Sequence, residues 1–193
     1  MSTLAWLTVP LAYLLGGVSP GYWLVRLRTG SDVRQLGSGA TGATNAARVL
    51  GRSGFILVLA LDAAKGALAC LGARLAGLDS GWEFAAAAAV VAGHIWPVQL
   101  GFKGGRGLGP LLGAWLALAP LAIGICLAVA GVLWGISRQR VTSGLLGTLL
   151  LPAATWWQTR SLPSAAFASA TAVIVLLAHR SHWLPRALPR ADV

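Results

Sequence analysis

The feature that most constrains this chain is a succession of long apolar runs joined by short polar gaps. Seven runs can be marked, at residues 4–23, 55–75, 83–100, 108–118, 121–136, 141–157 and 164–178. A helix needs about 20 residues, at about 1.5 Å rise each, to cross roughly 30 Å of hydrocarbon. The fourth run is too short to cross unless its ends extend. In lipid every backbone N–H and C=O must be satisfied within the protein, which restricts runs of this kind to helices. Composition removes the soluble alternative: 56% of residues are hydrophobic and 10% charged, where a soluble fold carries about a quarter charged. The expectation is an all-α fold, a polytopic membrane helix bundle of seven transmembrane helices, one of them short, forming a single domain over residues 1–193. Frequent Gly, Ala and Ser within the runs suit close helix packing in lipid. Trp6, Trp23, Trp82, Trp96, Trp156, Trp157 and Trp183 lie near run ends, as an interfacial belt requires.

A net charge of +10 raises the question of a nucleic-acid partner. The basic residues, however, form no polar domain. They sit in the gaps, where a membrane protein keeps its cytoplasmic charges. Arg26, Arg28, Arg34, Arg48 and Arg52 surround the first gap, Lys103 and Arg106 lie in the third, Arg138 and Arg140 in the fifth, and Arg180, Arg186 and Arg190 in the tail. Odd gaps plus tail hold 12 of the 15 basic residues, and even gaps hold two, Arg74 and Arg160. The alternation predicts an N-terminus outside and a C-terminus in the cytoplasm, with no nucleic acid bound. The opening MSTLAWLTVPLAYLLGG lacks the positive n-region of a secretory signal and reads as a retained helix. Cys70 and Cys126 lie inside apolar runs and read as small buried hydrophobes.

Two gaps carry chemistry. The first includes Gly37, Ser38, Gly39, Gly42, Thr44, Asn45 and Arg48. Glycines let backbone amides approach an anion, hydroxyls add donors, and an arginine pairs with phosphate in a forked geometry. Gly37, Gly39 and Gly42 also match the spacing of a dinucleotide fingerprint, but no βαβ unit surrounds them. The third gap sets Lys103 and Arg106 among Gly101, Gly104, Gly105 and Gly107, a compact anion cradle. His94 reads equally as a packed histidine or a ligand contact. Asp62 and Lys65, three apart on one helical face, read as a self-neutralising pair or as support for the site. His179 and Arg180 suit either a helix C-terminus or the ligand. Neither a nucleophile elbow, an HxxxxD box, a metal cluster nor a P-loop occurs. None of the carboxylates pairs convincingly with a candidate nucleophile in a cytoplasmic loop, so an enzyme built this way would act by positioning and electrostatics.

At these residues the sequence resembles the bacterial acyl-phosphate:glycerol-3-phosphate acyltransferases, the PlsY family. The likeness runs through Ser19-Pro20-Gly21-Tyr22, Gly37-Ser38-Gly39, Gly42-Ala43-Thr44-Asn45 with Arg48, and Asp62 with Lys65-Gly66. It continues through Gly93-His94, Trp96-Pro97, Phe102-Lys103-Gly104-Gly105, Gly107 and His179-Arg180. The resemblance implies a seven-helix bacterial inner-membrane enzyme with its active site facing the cytoplasm. It implies acyl phosphate and glycerol 3-phosphate as substrates, lysophosphatidic acid and phosphate as products, and neither cofactor nor metal. It further implies that no protein base acts, the acceptor's own phosphate taking the proton. Ser38, Arg48, Lys103 and His179 would hold phosphate groups. Gly39, Gly104 and Gly105 would line the pocket beside Thr44, Asn45, Arg106 and His182. The chain departs from the pattern at Ala40, where the family has asparagine, at Arg106 for lysine, at Gly109-Pro110 for Ala-Thr, and at His182 for asparagine; Pro185 interrupts a usually basic stretch. Two further readings fit the residues: a transporter of a phosphorylated metabolite with Asp62 and Lys65 at the midplane, and a non-catalytic relative of the family.

Overall fold

The computed structural model describes residues 3–180 and is all-helical over them. Its α-helices are α1 (Thr3–Gly17), α2 (Pro20–Thr29), α3 (Ala43–Leu75), α4 (Ser80–Ile95), α5 (Leu108–Leu118), α6 (Pro120–Ser137), α7 (Arg140–Thr148), α8 (Leu151–Thr159) and α9 (Leu162–Ala178). Single 3-10 turns, Val33–Gln35 and Val98–Leu100, shape the two longest connections.

Several boundaries correct the sequence expectation. The first run is not one helix. It breaks at Val18 and Ser19, because Pro20 has no N–H to continue the ladder and instead begins α2 at its first turn. The run at 141–157 breaks likewise into α7 and α8, with Pro152 in the first turn of α8. The third run stops at Ile95, two residues before Pro97. The second begins earlier, at Ala43, so Thr44, Asn45 and Arg48 occupy a helix start and not a loop. Gly51 interrupts α3 with φ 69° and ψ −162°, a conformation reserved for glycine, and so turns the residues before it away from the axis of those after it.

Helices meet through glycines. A Cβ on Gly66 would strike the Pro110 carbonyl, and one on Gly113 the Ala63 carbonyl, so α3 and α5 run parallel with their backbones in contact. Gly16 and Gly93 do the same for α1 and α4, against the Val90 and Tyr13 carbonyls. Those two helices run parallel, and Trp6 and Trp82 stack edge-on near their starts, with ring centroids 5.6 Å apart. The apolar core is formed mainly by α4, α5 and their neighbours, including Phe84, Val90, Leu111 and Trp115. Trp115 satisfies its indole N–H on Thr155 at 2.9 Å, as burial demands.

The chain order places the connection before α3, the one between α4 and α5, the α6–α7 turn and the end of α9 at one end of the bundle. The α3–α4, α5–α6 and α8–α9 turns lie at the other. That far end is tied by Arg74, which pairs with Glu83 at 2.7 Å. The helices α3 and α6 are long and apolar enough to cross a membrane by length and composition. Large side chains such as Leu121, Leu127, Val132 and Ile136 project outward from α6, which an apolar solvent accepts and water does not.

Candidate active site

The first connection is built around one amide. The Nδ2 group of Asn45 donates to the Val33, Leu36 and Ala40 carbonyls, each at 2.9 Å, while its Oδ1 accepts from the Ser38 N–H at 3.1 Å. Two hydrogens shared among three carbonyls, on a side chain only 2% exposed, leave little for a ligand. In this structure Asn45 is the strut that bends the loop around Ser38 and Gly39, both exposed. Gly37 is indispensable here: it has φ 51°, and a Cβ would meet Asn45 Oδ1 and come within 2.7 Å of Arg48 Cδ and Nε. The Arg48 stem therefore lies against the loop, with its residue exposed, as is Thr44.

A second strut is a residue that sequence reasoning assigns only to the general basic charge of the gap. Arg34 grips Asp32 through Nε and Nη2, the latter at 2.7 Å, lies over the Tyr22 ring at 5.2 Å, and donates through Nη1 to the Leu100 carbonyl at 2.7 Å. The arginine hydrogen bond holds the Asp32 carboxyl below its ordinary pKa, and the same bond raises that of Arg34. The signal that could have marked it is the Asp32-x-Arg34 spacing between Gly30 and Gly37.

The second connection folds back on the end of α4. Gly104 N–H donates to the Ile95 carbonyl at 3.1 Å and Gly105 N–H to the His94 carbonyl at 2.9 Å. A Cβ on Gly104 would strike the His94 carbonyl, and one on Gly105 the His94 ring. This turn exposes Lys103 and leaves Arg106 half-buried, where desolvation draws its pKa down. The two connections then join directly: Thr41 N–H donates to the Gly104 carbonyl at 3.2 Å. From the other side, Gly107 (φ 88°) packs against Val175 of α9. One turn further, His179 is buried, with Nδ1 2.8 Å from the Val175 carbonyl. Ser38, Gly39, Thr44, Arg48, Lys103, Gly104, Gly105, Arg106 and His179 are thus gathered at one end of the bundle. His182 lies outside the described residues.

His94 is a packed residue. It and the Asp62–Lys65 pair are buried together beneath the glycine turn. Among the described residues the carboxylates are accounted for by ion pairs or a helix cap: Asp32 by Arg34, Asp62 by Lys65, Glu83 by Arg74, and Asp79 by the N-cap of α4. The described residues of the assembly offer cations, backbone amides and a hydroxyl to an anion, and the described carboxylates are engaged elsewhere. A groove of about 520 Å³ opens next to it between α2 and the kink of α3, lined by Leu24, Leu27, Val49, Leu50 and Leu57 with Arg28 and Ser53.

Comparison with known proteins agrees with this geometry. The sequence model for "Glycerol-3-phosphate acyltransferase" matches residues 6–185. A glycerol-3-phosphate acyltransferase 1 of Desulfitobacterium hafniense (strain Y51) is 44% identical over 89% of this chain and 85% of its own length. A glycerol-3-phosphate acyltransferase of Synechococcus sp. (strain JA-3-3Ab) is 44% identical over 91% of this chain and 88% of its own. The crystal structure of PlsY, an integral membrane glycerol 3-phosphate acyltransferase, in its glycerol 3-phosphate form, superimposes with a TM-score of 0.87 at 30% identity, over 93% of this chain and 90% of that one. Its lysophosphatidic acid form gives 0.83 at 28% identity. Helices with lipid-ready surfaces, two glycine connections stitched together around exposed cations, and sequence kinship along nearly the whole chain lead to one assignment: the chain belongs to the glycerol-3-phosphate acyltransferase family of integral membrane enzymes.

Proposed function

We propose that this enzyme moves a fatty acyl group from acyl phosphate to the 1-hydroxyl of glycerol 3-phosphate, giving lysophosphatidic acid and inorganic phosphate. The observation that carries the reading is the Thr41–Gly104 hydrogen bond, which brings the Ser38–Arg48 and Lys103–Arg106 sets to one surface. Charge-assisted bonds from Arg48, Lys103, Arg106 and His179, with amides along Gly39, Gly104 and Gly105, hold the phosphates. Thr44 adds a hydroxyl at the start of α3. The acceptor oxygen attacks the acyl carbonyl carbon, and the bond from that carbon to the phosphate oxygen breaks. The electron pair leaves with phosphate, and the hydroxyl proton passes to the acceptor's own phosphate. No described carboxylate is free to serve as base, which supports a substrate-assisted route. The cations stabilise charge on the departing phosphate, and the loops hold the reactants in register. The groove between α2 and α3 begins at Val49, next to Arg48, and its apolar wall suits the acyl chain.

In the same reading each end-to-end passage is a membrane span, seven in all. The passage through α5 is short, and α7 with α8 makes one. The site end, which carries most of the basic residues, faces the cytoplasm of a bacterium across its inner membrane, with the N-terminus outside. Purified protein is expected to release phosphate from acyl phosphate only when glycerol 3-phosphate is present. Lys103→Ala should lower kcat/KM by about 10²-fold or more. No release by this protein, in an assay where an active homologue turns over, would remove the catalytic reading.

A further inference from the structure

Beneath the cradle lies a charged cluster to which acyl transfer itself assigns no task. Asp62, Lys65 and His94 are 2%, 4% and 4% exposed. The ammonium of Lys65 has three hydrogens, and three acceptors surround it: the Gly16 carbonyl at 2.9 Å, the Val18 carbonyl at 2.7 Å and His94 Nδ1 at 2.9 Å. Asp62 Oδ1 stands 2.8 Å from the same nitrogen and 3.4 Å from His94 Nδ1. It makes no hydrogen bond of good geometry there, and so acts as the charge partner. With Nδ1 accepting from lysine, a neutral His94 carries its proton on Nε2, the atom that faces Gly105.

Burying such a group is expensive, and apolar residues would fill the same space at lower cost. What the cluster supplies is position. Lys65 holds the residues at which α1 gives way to α2, and α2 carries the chain into the first connection. Gly21 of α2 abuts the Thr41 carbonyl. On the other side, the His94 carbonyl accepts from Gly105 N–H, and its ring occupies the place where a Gly105 side chain would be. Gly109, just past the same connection, rests on Asp62 Cβ. One ammonium thus reaches both glycine connections, each through a short chain of contacts.

We infer that Asp62, Lys65 and His94 are positioning residues for acyl transfer, which set the spacing between the two phosphate-gripping connections without touching substrate. The inference rests on the acyltransferase reading. The test compares steady-state kinetics of the full-length wild type, His94→Asn, Gly105→Ala and the double variant, with thermal stability measured alongside. Asparagine keeps an acceptor for Lys65 but removes the ring edge. Alanine at Gly105 collides with the ring and finds room once the ring is gone. Each single change is expected to lower kcat/KM for glycerol 3-phosphate about 10²-fold, mainly through KM. The double variant should recover at least tenfold over either. Additive losses, or wild-type kinetics with only a lowered melting temperature, overturn the inference. Should His94→Asn fail to fold, Asp62→Asn decides: a raised KM supports the cluster's role and an unchanged one ends it. A silent wild type removes the acyltransferase reading and this inference with it, whereas an active wild type with additive losses removes the inference alone.

Discussion

The Asn45 amide is shared by three loop carbonyls, so the shape presented by Ser38 and Gly39 depends on a side chain that is itself buried. Asn45→Ala strips those carbonyls and the Ser38 N–H of their partner. The expected outcome is a loss of about 2 kcal/mol or more in stability, seen in thermal melts in detergent, together with a raised KM for glycerol 3-phosphate. Asn45→Asp replaces a donor with a charge facing carbonyls and should be no better. At this scale the sequence reveals residue types but not their directions. Asn45 is visible as a polar residue in a glycine string. Whether its amide turns to the ligand or to its own loop depends on the 3-10 turn at Val33–Gln35, which spacing does not encode. Arg34 is hidden for the same reason, since its partner Leu100 is 66 residues away.

Among the elements, the runs at 108–118, 121–136 and 164–178 correspond to α5, α6 and α9 within a residue or two. The runs at 4–23 and 141–157 read as continuous because hydropathy passes unbroken through a proline at a helix start. Glycine spacing also names no partner: only the fold shows that Gly113 lies on the Ala63 carbonyl while Gly72 has nothing within 4 Å. Gly113→Ala therefore forces α3 and α5 apart and should cost about 1–3 kcal/mol. Gly72→Ala, in the same bundle, should leave the melting temperature unchanged or slightly raised, because alanine favours the helix. Equal effects at the two positions would count against the backbone contact of α3 with α5.

For the molecule as a whole, the alternation of charge along the sequence matches the separation of the two ends of the bundle. The far end keeps Arg74 against Glu83 and Arg160 over the Trp156 ring at 5.3 Å. The site end keeps Lys103, Arg48 and Arg34. Charge is legible at this scale because it follows chain order, which needs no knowledge of which side chains meet. Single cysteines at Ser38 and Lys103 should react with an impermeant reagent from the same face of sealed vesicles, and one at Asp79 from the opposite face. Cys70 and Cys126, both buried, provide a quiet background. Labelling of Ser38 and Lys103 from different faces would be incompatible with a shared pocket.

The bond from Thr41 to Gly104 ties the rim of the cradle together backbone to backbone. A rim fixed by main-chain bonding grips the dianionic head and not the remainder of the guest, and so discriminates weakly among guests that share that head. On the proposed reading, orthophosphate released at each turnover is expected to compete with glycerol 3-phosphate for that seat, which a competitive inhibition pattern in steady-state kinetics would show.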